Sequence, residues 1–201
     1  AAIAGIPTIA GRATDPVSGI DSLTVAVDDQ VAEPVDFDPL TGEFSFAPTD
    51  IVDGAHSFRF QATDRRGNSS EHLFELVVDR LTPDVYMPLP FDGAILDFQS
   101  HLAGIADPTG SPLVQLSYQF DDGPAIPVPF DSTTYAYDEP IRLENVDVGP
   151  HTFTLTAVDA AGNRSSQSVL VQIDNPVPFQ ISAFAPLDGS IDIGTTFRPK
   201  V

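Results

Sequence analysis

The feature that most constrains this chain is an internal repeat with a period of about 95 residues. The stretch 53–70 reads DGAHSFRFQATDRRGNSS, and the stretch 148–166 reads VGPHTFTLTAVDAAGNRSS. Upstream the spacing shortens to 93 residues, as between Asp28 and Asp121. Self-similarity at a fixed period is the signature of a tandem array of structural units. Three polar residues recur with a spacing of 95 (151 − 56): His56 and His151, Asp64 and Asp159, Asn68 and Asn163.

A third copy of the pattern begins near the end of the sequence. Residues 187–191 (LDGSI) resemble residues 91–95 (FDGAI) at a spacing of 96. The matches divide the chain into a first repeat at residues 1–80, a second at 81–175, and the start of a third repeat or a C-terminal extension at 176–201. The N-terminal strand of the first repeat is expected to be truncated. This phasing is what an excised piece of a longer array would show.

Each repeat is predicted to consist of β-strands. Apolar and polar residues alternate along residues 57–63 and along the matching residues 152–157. This two-residue period is typical of a strand with one buried face. Turn signals such as Asp15-Pro16 and Gly67-Asn68 recur roughly every 8–12 residues, which favours a sandwich. The predicted fold class is all-β: two tandem immunoglobulin-like β-sandwiches of Greek-key type, with about seven strands each and no disulfide, plus the start of a third repeat.

The core of each predicted sandwich depends on large apolar side chains alone. The chain has no Cys and no Trp, which excludes disulfides, thiolate catalysis and Cys-ligated zinc. Burial of such side chains supplies about 25 cal/mol per Å2 of apolar surface, which is enough for a domain of this size. The expected core aromatics are Phe58, Phe60 and Phe74 in the first repeat and Tyr118, Phe120 and Phe153 in the second.

The net charge argues against a nucleic-acid partner, and the hydropathy argues against membrane insertion. The formal charge is −20, from 29 acidic and 9 basic residues, so nucleic-acid binding is not expected. Nor is membrane insertion, because the sequence has no run of about 18 apolar residues. Of the acids, 23 are Asp. Asp is a common turn residue and also a preferred calcium ligand, so both interpretations stay open at this point.

The run G-x-H-x-F-x-x-x-A-x-D-x-x-G-N occurs at residues 54–68 and again at 149–163. It resembles the final hairpin of bacterial Ig-like domains, which occur in tandem in very large secreted and cell-surface proteins such as adhesins. The resemblance implies an extracellular, non-catalytic spacer connected to neighbouring repeats of the same polypeptide, with a role in cell adhesion. It also implies that calcium at the domain junctions can stiffen the array.

A junction between the two repeats would gather several oxygen ligands suited to Ca2+. The exit of the first repeat would meet the entry loops of the second at one pole of the sandwich. The competing interpretation is that Asp64 and Asp159 only accept backbone N–H groups in turns closed by Gly-Asn. The candidate calcium ligands are Asp79, Asp84, Asp107, Asp159 and Asn163.

No enzymatic activity is predicted. The sequence has no G-x-S-x-G, H-E-x-x-H, phosphate-binding or dinucleotide-binding motif. His56 and His151 lack obvious catalytic partners, so we expect each ring to cover a sheet edge or bond a loop carbonyl.

The alternative function is a carbohydrate- or protein-binding module, or an accessory domain of a secreted hydrolase. Tyr135 and Tyr137 would place two rings on one face of a strand, where they could pack on a surface glycan or a protein receptor. The absence of Trp and the frequency of buried aromatics favour a core or rim role for both rings.

Overall fold

The computed structural model describes residues 1–174, and these form strands connected by turns and loops, with no helix. Accordingly, no described helix is long and apolar enough to cross a bilayer. The strands are β1 (Ala2–Ile3), β2 (Ile9–Arg12), β3 (Ile20–Val27), β4 (Glu33–Pro34), β5 (Glu43–Phe46), β6 (Gly54–Asp64), β7 (Ser69–Val78), β8 (Asp84–Leu89), β9 (Ala94–Leu96), β10 (His101–Asp107), β11 (Leu113–Phe120), β12 (Ile126–Pro127), β13 (Ala136–Pro140), β14 (Gly149–Asp159) and β15 (Arg164–Ile173).

Two sheets enclose the core of the first repeat. The larger sheet has the strand order β1-β7-β6-β3-β4, and β2 pairs with β5 in the smaller one. All pairings are antiparallel except that of β1 with β7, which is parallel. Side chains from both sheets meet in one hydrophobic cluster, in which Val25 and Phe58 are fully buried.

The second repeat repeats this arrangement and adds one strand. Its larger sheet has the order β12-β11-β14-β15-β9, with β9 parallel to β15. The smaller sheet has the order β13-β10-β8. Strand β8 therefore lies at the edge of this sheet beside β10, a place that no strand takes in the first repeat as described. A second, separate hydrophobic cluster fills the space between the sheets, with Leu102, Phe153 and Leu155 at its centre.

The apolar and polar residues that alternate in the sequence occupy buried and exposed positions, respectively, along the strands. On β6 the side chains of Phe58 and Phe60 are buried while Arg59 is exposed, and Phe153 and Leu155 on β14 are buried in the same way. The expected aromatic core is also present. Phe58 stacks on Phe74 with ring centroids 5.2 Å apart, and Tyr118 stacks on Phe153 at 5.0 Å.

The all-β prediction is confirmed, with seven strands in the first repeat and eight in the second. The predicted start of a third repeat, residues 176–201, lies outside the described residues.

Candidate functional site

The polar residues that recur between the repeats form two similar sets of hydrogen bonds. In the first repeat the set is centred on Asp64, at the end of β6. Its Oδ1 accepts the backbone N–H groups of Arg66 and Asn68, both at 2.8 Å. Its Oδ2 accepts the Asn68 side-chain amide at 2.7 Å and the Ser18 hydroxyl at 2.9 Å. These donors, Asn68 first, favour the ionised carboxylate and lower the pKa of Asp64 to about 2.

The turn after Asp64 has the local backbone that this set needs. Gly67 has φ +85°, a left-handed conformation that glycine adopts without steric cost. Its counterpart Gly162 has φ +95°. The Gly-Asn pair therefore closes the turn and places the Asn side chain over the carboxylate, as the structural interpretation of the sequence expected.

In the second repeat the same set reaches across to the first. Asp159 is almost fully buried, and its Oδ1 accepts the backbone N–H groups of Ala161 at 2.9 Å and Asn163 at 2.8 Å. The Asn163 amide donates to Asp159 Oδ2 at 2.9 Å and also to the backbone carbonyl of Asp79 at 2.8 Å. Asp79 follows β7 and donates its own N–H to the carbonyl of Ile3 at 2.9 Å. Asn163 thus ties the end of the first repeat to a loop of the second.

Asp79 forms a second connection between the repeats. It is buried, with 4% of its surface exposed, and its carboxylate accepts the N–H groups of Ser111 and, at 3.0 Å, of Leu81. Hydrogen bonding from Ser111 is the main cause that lowers the pKa of Asp79. Thr109 adds a hydroxyl bond of 2.8 Å to the carbonyl of Thr82. Residues 79–82 are therefore held against the loop 109–111.

The structure brings Asp79, Asp159 and Asn163 together, whereas Asp84 and Asp107 lie apart from them. The latter two face each other as paired residues of β8 and β10 and are exposed. Asp107 accepts the N–H of Thr109 at 2.9 Å. Within residues 1–174, no group of three or more His, Cys, Asp or Glu side chains is placed to hold a metal ion.

The partners of the predicted calcium ligands are nitrogen donors. Every side-chain oxygen of Asp79 and Asp159 accepts at least one N–H group. Calcium prefers six to eight oxygen ligands. The arrangement as it stands therefore fits a hydrogen-bonded junction, and a calcium ion would have to use the remaining lone pairs of these carboxylates. Calcium binding stays a prediction.

The two repeated histidines hold loops in the same way. His56 Nδ1 lies 2.7 Å from Asp28 Oδ2 and its Nε2 lies 2.8 Å from the carbonyl of Val52. In the second repeat, His151 makes the matching contacts at 2.7 and 2.8 Å, with Asp121 and with the carbonyl of Asp147. The expected bond to a loop carbonyl is confirmed in both repeats.

Acceptors at both ring nitrogens favour the imidazolium form. Burial opposes the charge on His56, but the hydrogen bonds to Asp28 and Val52 outweigh it, so the pKa of His56 is raised. The hydrogen bond to Asp121 is the main cause of the raised pKa of His151.

Sequence reasoning missed the carboxylate partners of these histidines. Asp28 and Asp121 were recognised as matching residues, 93 apart, but not as partners of His56 and His151. Each also accepts the N–H of the residue after the histidine, Ser57 or Thr152. The signal was the joint recurrence of an Asp-Asp pair before the hairpin and a His within it.

The two tyrosines considered as a glycan platform both pack on the core. Tyr137 is buried, and its hydroxyl donates to the carbonyl of Tyr86 at 3.0 Å. Tyr135 precedes β13, has φ +55°, and is partly buried against the same cluster. The favoured core or rim role of both rings is therefore confirmed, and the alternative with both rings on one strand face does not occur, because Tyr135 lies on the turn before β13.

The chain matches no known protein family, and no curated protein is similar to it. Among solved structures, it is similar to the fibronectin(III)-like modules of Clostridium thermocellum CbhA, with 14% identity, a TM-score of 0.56, and coverage of 92% of this chain and 94% of that one. A tetra-tandem repeat from the extending region of a large adhesion protein is 21% identical, covers 86% of this chain and 46% of that one, and has a TM-score of 0.38. Drosophila N-cadherin EC1-4 is 15% identical, with coverage of 87% and 42% and a TM-score of 0.32.

The likeness to the CbhA modules, with a TM-score of 0.56 at 14% identity, is a likeness of fold. The strand order and the pairing of two sheets in each repeat agree with the fold that this likeness indicates. The chain has the all-β fold of fibronectin III-like modules.

Proposed function

We propose that this chain is a non-catalytic spacer from a larger extracellular or cell-surface bacterial protein. It consists of two tandem Ig-like domains, residues 1–80 and 81–175, followed by the beginning of a third at 176–201. Its role is to hold neighbouring domains of the same polypeptide apart and so to present an adhesive or other functional domain at a distance.

The hydrogen-bonded junction is the observation that supports this function most directly. The linker carbonyls of Asp79 and Thr82 accept bonds from Asn163 and Thr109, and the Asp79 carboxylate accepts the N–H of Ser111. A linker fixed at three points by the following domain has little freedom to bend. A linker with little freedom to bend keeps neighbouring domains at a set distance, which is the role proposed for a spacer.

The use of the recurring polar residues supports the same conclusion. The His-Asp and Asp-Asn pairs all bond backbone groups of their own turns or of the junction. They are therefore occupied by structural contacts in both repeats. The high negative charge adds repulsion between successive domains, which favours an extended array.

Small-angle scattering of the 201-residue chain tests the junction. We expect the profile of two domains in one fixed arrangement. Asp79→Ala removes the acceptor of Ser111 and should broaden the distribution of maximum dimensions while each domain keeps its fold by circular dichroism. Asp122→Ala, an exposed residue, is the matched control. If the wild-type chain already scatters as two freely hinged domains, the spacer proposal fails.

Calcium at the junction is tested with the same samples. If calcium binds Asp79, Asp84, Asp107, Asp159 and Asn163, adding CaCl2 after chelation should raise the melting temperature, because a ligand that binds only the folded state stabilises it. MgCl2 at equal ionic strength is the control. An unchanged melting temperature and an unchanged maximum dimension would remove the calcium proposal and leave the spacer proposal standing.

The second candidate is a carbohydrate- or protein-binding module. One observation favours it: Tyr86 on β8 is 66% exposed and lies opposite Ile105 on β10, which is 45% exposed. An exposed aromatic face beside an apolar residue is suited to packing on a sugar ring or a protein side chain. A glycan array screened with the wild-type chain and with Tyr86→Ala tests it, and binding that the substitution leaves intact would count against this face.

A further inference from the structure

One outer face of the second repeat is apolar at its centre. It belongs to the smaller sheet, β13-β10-β8, whose inner side contributes Met87, Leu102 and Tyr137 to the hydrophobic cluster. On the outer side Tyr86 pairs with Ile105, and both side chains are exposed. The apolar residues of this patch, which we call the Tyr86 face, are Tyr86, Leu89, Ala103, Ile105 and Ala136.

An extra residue in β8 brings a second large side chain onto this face. Tyr86 pairs with Ile105 and Leu89 pairs with Ala103, so three steps along β8 match two along β10. Residues two apart on β10 share a face, and the bulge therefore places their partners on that face as well. The carbonyl of Tyr86 accepts the Tyr137 hydroxyl at 3.0 Å, which ties the strand to the core beneath the exposed ring.

The first repeat shows that the sandwich does not require apolar residues at these positions. At the spacing of 93, Arg12 stands where Ile105 stands, and Glu43 stands where Ala136 stands. Arg12 and Glu43 are exposed and pair across β2 and β5, just as Ile105 and Ala136 pair across β10 and β13. The Arg12 Nε also donates to the carbonyl of Thr41 at 2.6 Å. The same sheet therefore folds with a charged pair, and the apolar pair of the second repeat is not a demand of the fold.

Carboxylates border the patch. Asp84 and Asp107 are paired residues at one end of the same face, and both are exposed. Like charges directly opposite each other in a sheet are destabilising. Within residues 1–174, neither of these two carboxylates takes part in an ion pair. At another border, Asp138 lies 2.8 Å from the ring of His101. A cation supplied by a partner would relieve the repulsion between Asp84 and Asp107.

An apolar centre with an acidic border is complementary to a cationic, partly apolar partner. An Arg or Lys side chain lays its aliphatic stem on apolar surface while its charged head reaches a carboxylate. A cation over the ring of Tyr86 gains further attraction from the face of the ring. A neutral sugar would leave the charges of Asp84 and Asp107 uncompensated, and a second copy of this chain would bring a further −20. Charge complementarity therefore favours a basic protein segment.

The size of the patch matches a short segment. With about 4.8 Å between strands and about 3.3 Å per residue, a face of three strands and five residues covers about 240 Å2. A stable complex between two domains buries about 800 Å2 on each partner. An extended segment of about five residues is about 17 Å long, which is the length of the Tyr86 face. Side chains two apart in such a segment point to the same side, so an Arg and an apolar residue in that spacing can both contact the sheet.

We propose that the Tyr86 face of the second repeat binds an extended segment of a partner protein that carries an Arg two residues away from an apolar residue. The guanidinium pairs with Asp84 and Asp107, and the apolar side chain lies on Ile105 and Leu89 beside the ring of Tyr86. This inference rests on the second candidate function and names its partner. It does not depend on the spacer function.

A nuclear magnetic resonance titration of the full chain tests this pairing. The probe is the peptide Arg-Ser-Leu-Ser-Leu, blocked at both ends, with EDTA present so that calcium does not compete for the carboxylates. Backbone amide shifts should cluster on β8, β10 and β13. The isomeric peptide Arg-Leu-Ser-Leu-Ser turns its Arg away from its Leu side chains and should bind about threefold more weakly, the scale of one exposed ion pair. Equal affinities for the two peptides, or shifts spread over both repeats, would overturn the proposal.

A variant that copies the first repeat tests the apolar centre. Ile105→Arg/Ala136→Glu introduces the charged pair of β2 and β5 and leaves the net charge at −20. The variant should bind the first peptide about tenfold more weakly, as expected for the loss of a central contact. Its melting temperature should stay close to that of the wild type, because the first repeat folds with this pair. Unchanged affinity contradicts the inference.

A second variant tests the acidic border without disturbing the core. Asp84→Asn/Asp107→Asn removes the repulsive pair and should weaken peptide binding about threefold. Asp21→Asn/Asp122→Asn changes the net charge by the same amount at exposed positions and is the matched control. Equal weakening in both variants would show that only the overall charge attracts the peptide, and the inference would fail.

The glycan array described for the second candidate separates the remaining outcomes. If the peptide does not bind but a glycan does so through Tyr86, the inference is wrong and the second candidate stands. If neither binds, both are wrong and the spacer proposal is unaffected. If light scattering shows that the wild type self-associates and Ile105→Arg/Ala136→Glu does not, the occupant is a second copy of the chain and the inference is again wrong.

Discussion

At the scale of single residues, the recurring polar side chains act on the backbone. Asp64 and Asp159 each organise a turn through two backbone N–H groups, and His56 and His151 each join a carboxylate to a loop carbonyl. Hydrogen bonds in which one partner is ionised are shorter and stronger than neutral ones. Contacts of this kind therefore contribute more to the stability of the folded protein. The ionisation of Asp64, His56 and His151, whose pKa values are shifted in the folded state, therefore links folding to pH.

The histidines should make the protein less stable at alkaline pH. Their folded pKa values are raised above 6.5, so their contribution is complete below pH 6.5 and is lost as the pH rises through the folded pKa. The double variant His56→Gln/His151→Gln should lose about 1 kcal/mol of unfolding free energy per site at pH 6. It should also show a flatter stability profile than the wild type between pH 6 and 9.

Denaturant titrations over that pH range check this expectation. His72→Gln, at an exposed position on β7, serves as the control and should follow the wild-type profile. Parallel profiles for the wild type and the double variant would contradict the role given to the two His-Asp pairs.

Asp64 should act in the opposite direction, at acid pH. Its pKa is lowered to about 2, so its contribution is complete above pH 4 and is lost as the pH falls toward 2. Asp64→Asn should therefore lower the melting temperature at pH 7, and the difference from the wild type should shrink below pH 4. Asp122→Asn, at an exposed position, is the control, and an equal effect of both substitutions would argue against this account.

At the scale of the elements, the strands and the approach of Asp79 to Asn163 could be predicted from the sequence, whereas the contact of Asp79 with Ser111 could not. Alternation along β6 and β14 reports burial directly, because successive side chains of a strand point to opposite faces. The repeat of the pattern provides a second reading of three strands, since β3, β6 and β7 recur as β11, β14 and β15. The contact of Asp79 with Ser111 has no such signal, since it depends on how the linker leaves β7 and meets a distant loop.

The candidate site residues also fall into those whose contacts the sequence predicts and those whose contacts it does not. The turns around Asp64 and Asp159 follow from local Gly-Asn chemistry, and the sequence interpretation named them. The buried packing of Tyr137 is as the sequence analysis favours, but the turn with positive φ at Tyr135, which takes this residue out of β13, is not visible in the alternation. Local pattern does not reveal such a turn when the residue is not glycine or asparagine.

Gly110 offers a test of the junction as an element. A Cβ at this position would lie 2.5–2.6 Å from the carboxylate oxygens of Asp79. Gly110→Ala should push Asp79 away from Ser111 and cost about 1–2 kcal/mol of unfolding free energy, in the range of overpacked sites. Gly5→Ala is the control, because nothing lies within 4 Å of the added methyl group. If the thermal melts of the two variants coincide, the junction accommodates the added methyl group at residue 110 without loss of stability.

At the scale of the whole molecule, charge opposes compactness. The 201 residues carry −20, and repulsion within a compact chain lowers its stability. Salt screens exposed charges over about 10 Å at 0.1 M. The melting temperature should therefore rise between low and moderate NaCl, and CaCl2 at matched ionic strength should raise it no further unless calcium binds specifically. A melting temperature that falls with NaCl would contradict this expectation.

The parallel pairing of β1 with β7 and of β9 with β15 has a mechanical consequence. In the first repeat the leading strand β1 lies side by side with the last strand and runs the same way, and in the second repeat β9, which follows β8, does so. Tension applied through the two ends of a repeat slides these strands past each other, so their ladder bonds must rupture together instead of unzipping singly. Force spectroscopy should find a higher rupture force for pulling through these ends than for peeling β6 from β3. Each repeat is built to resist stretching along the direction in which the polypeptide runs.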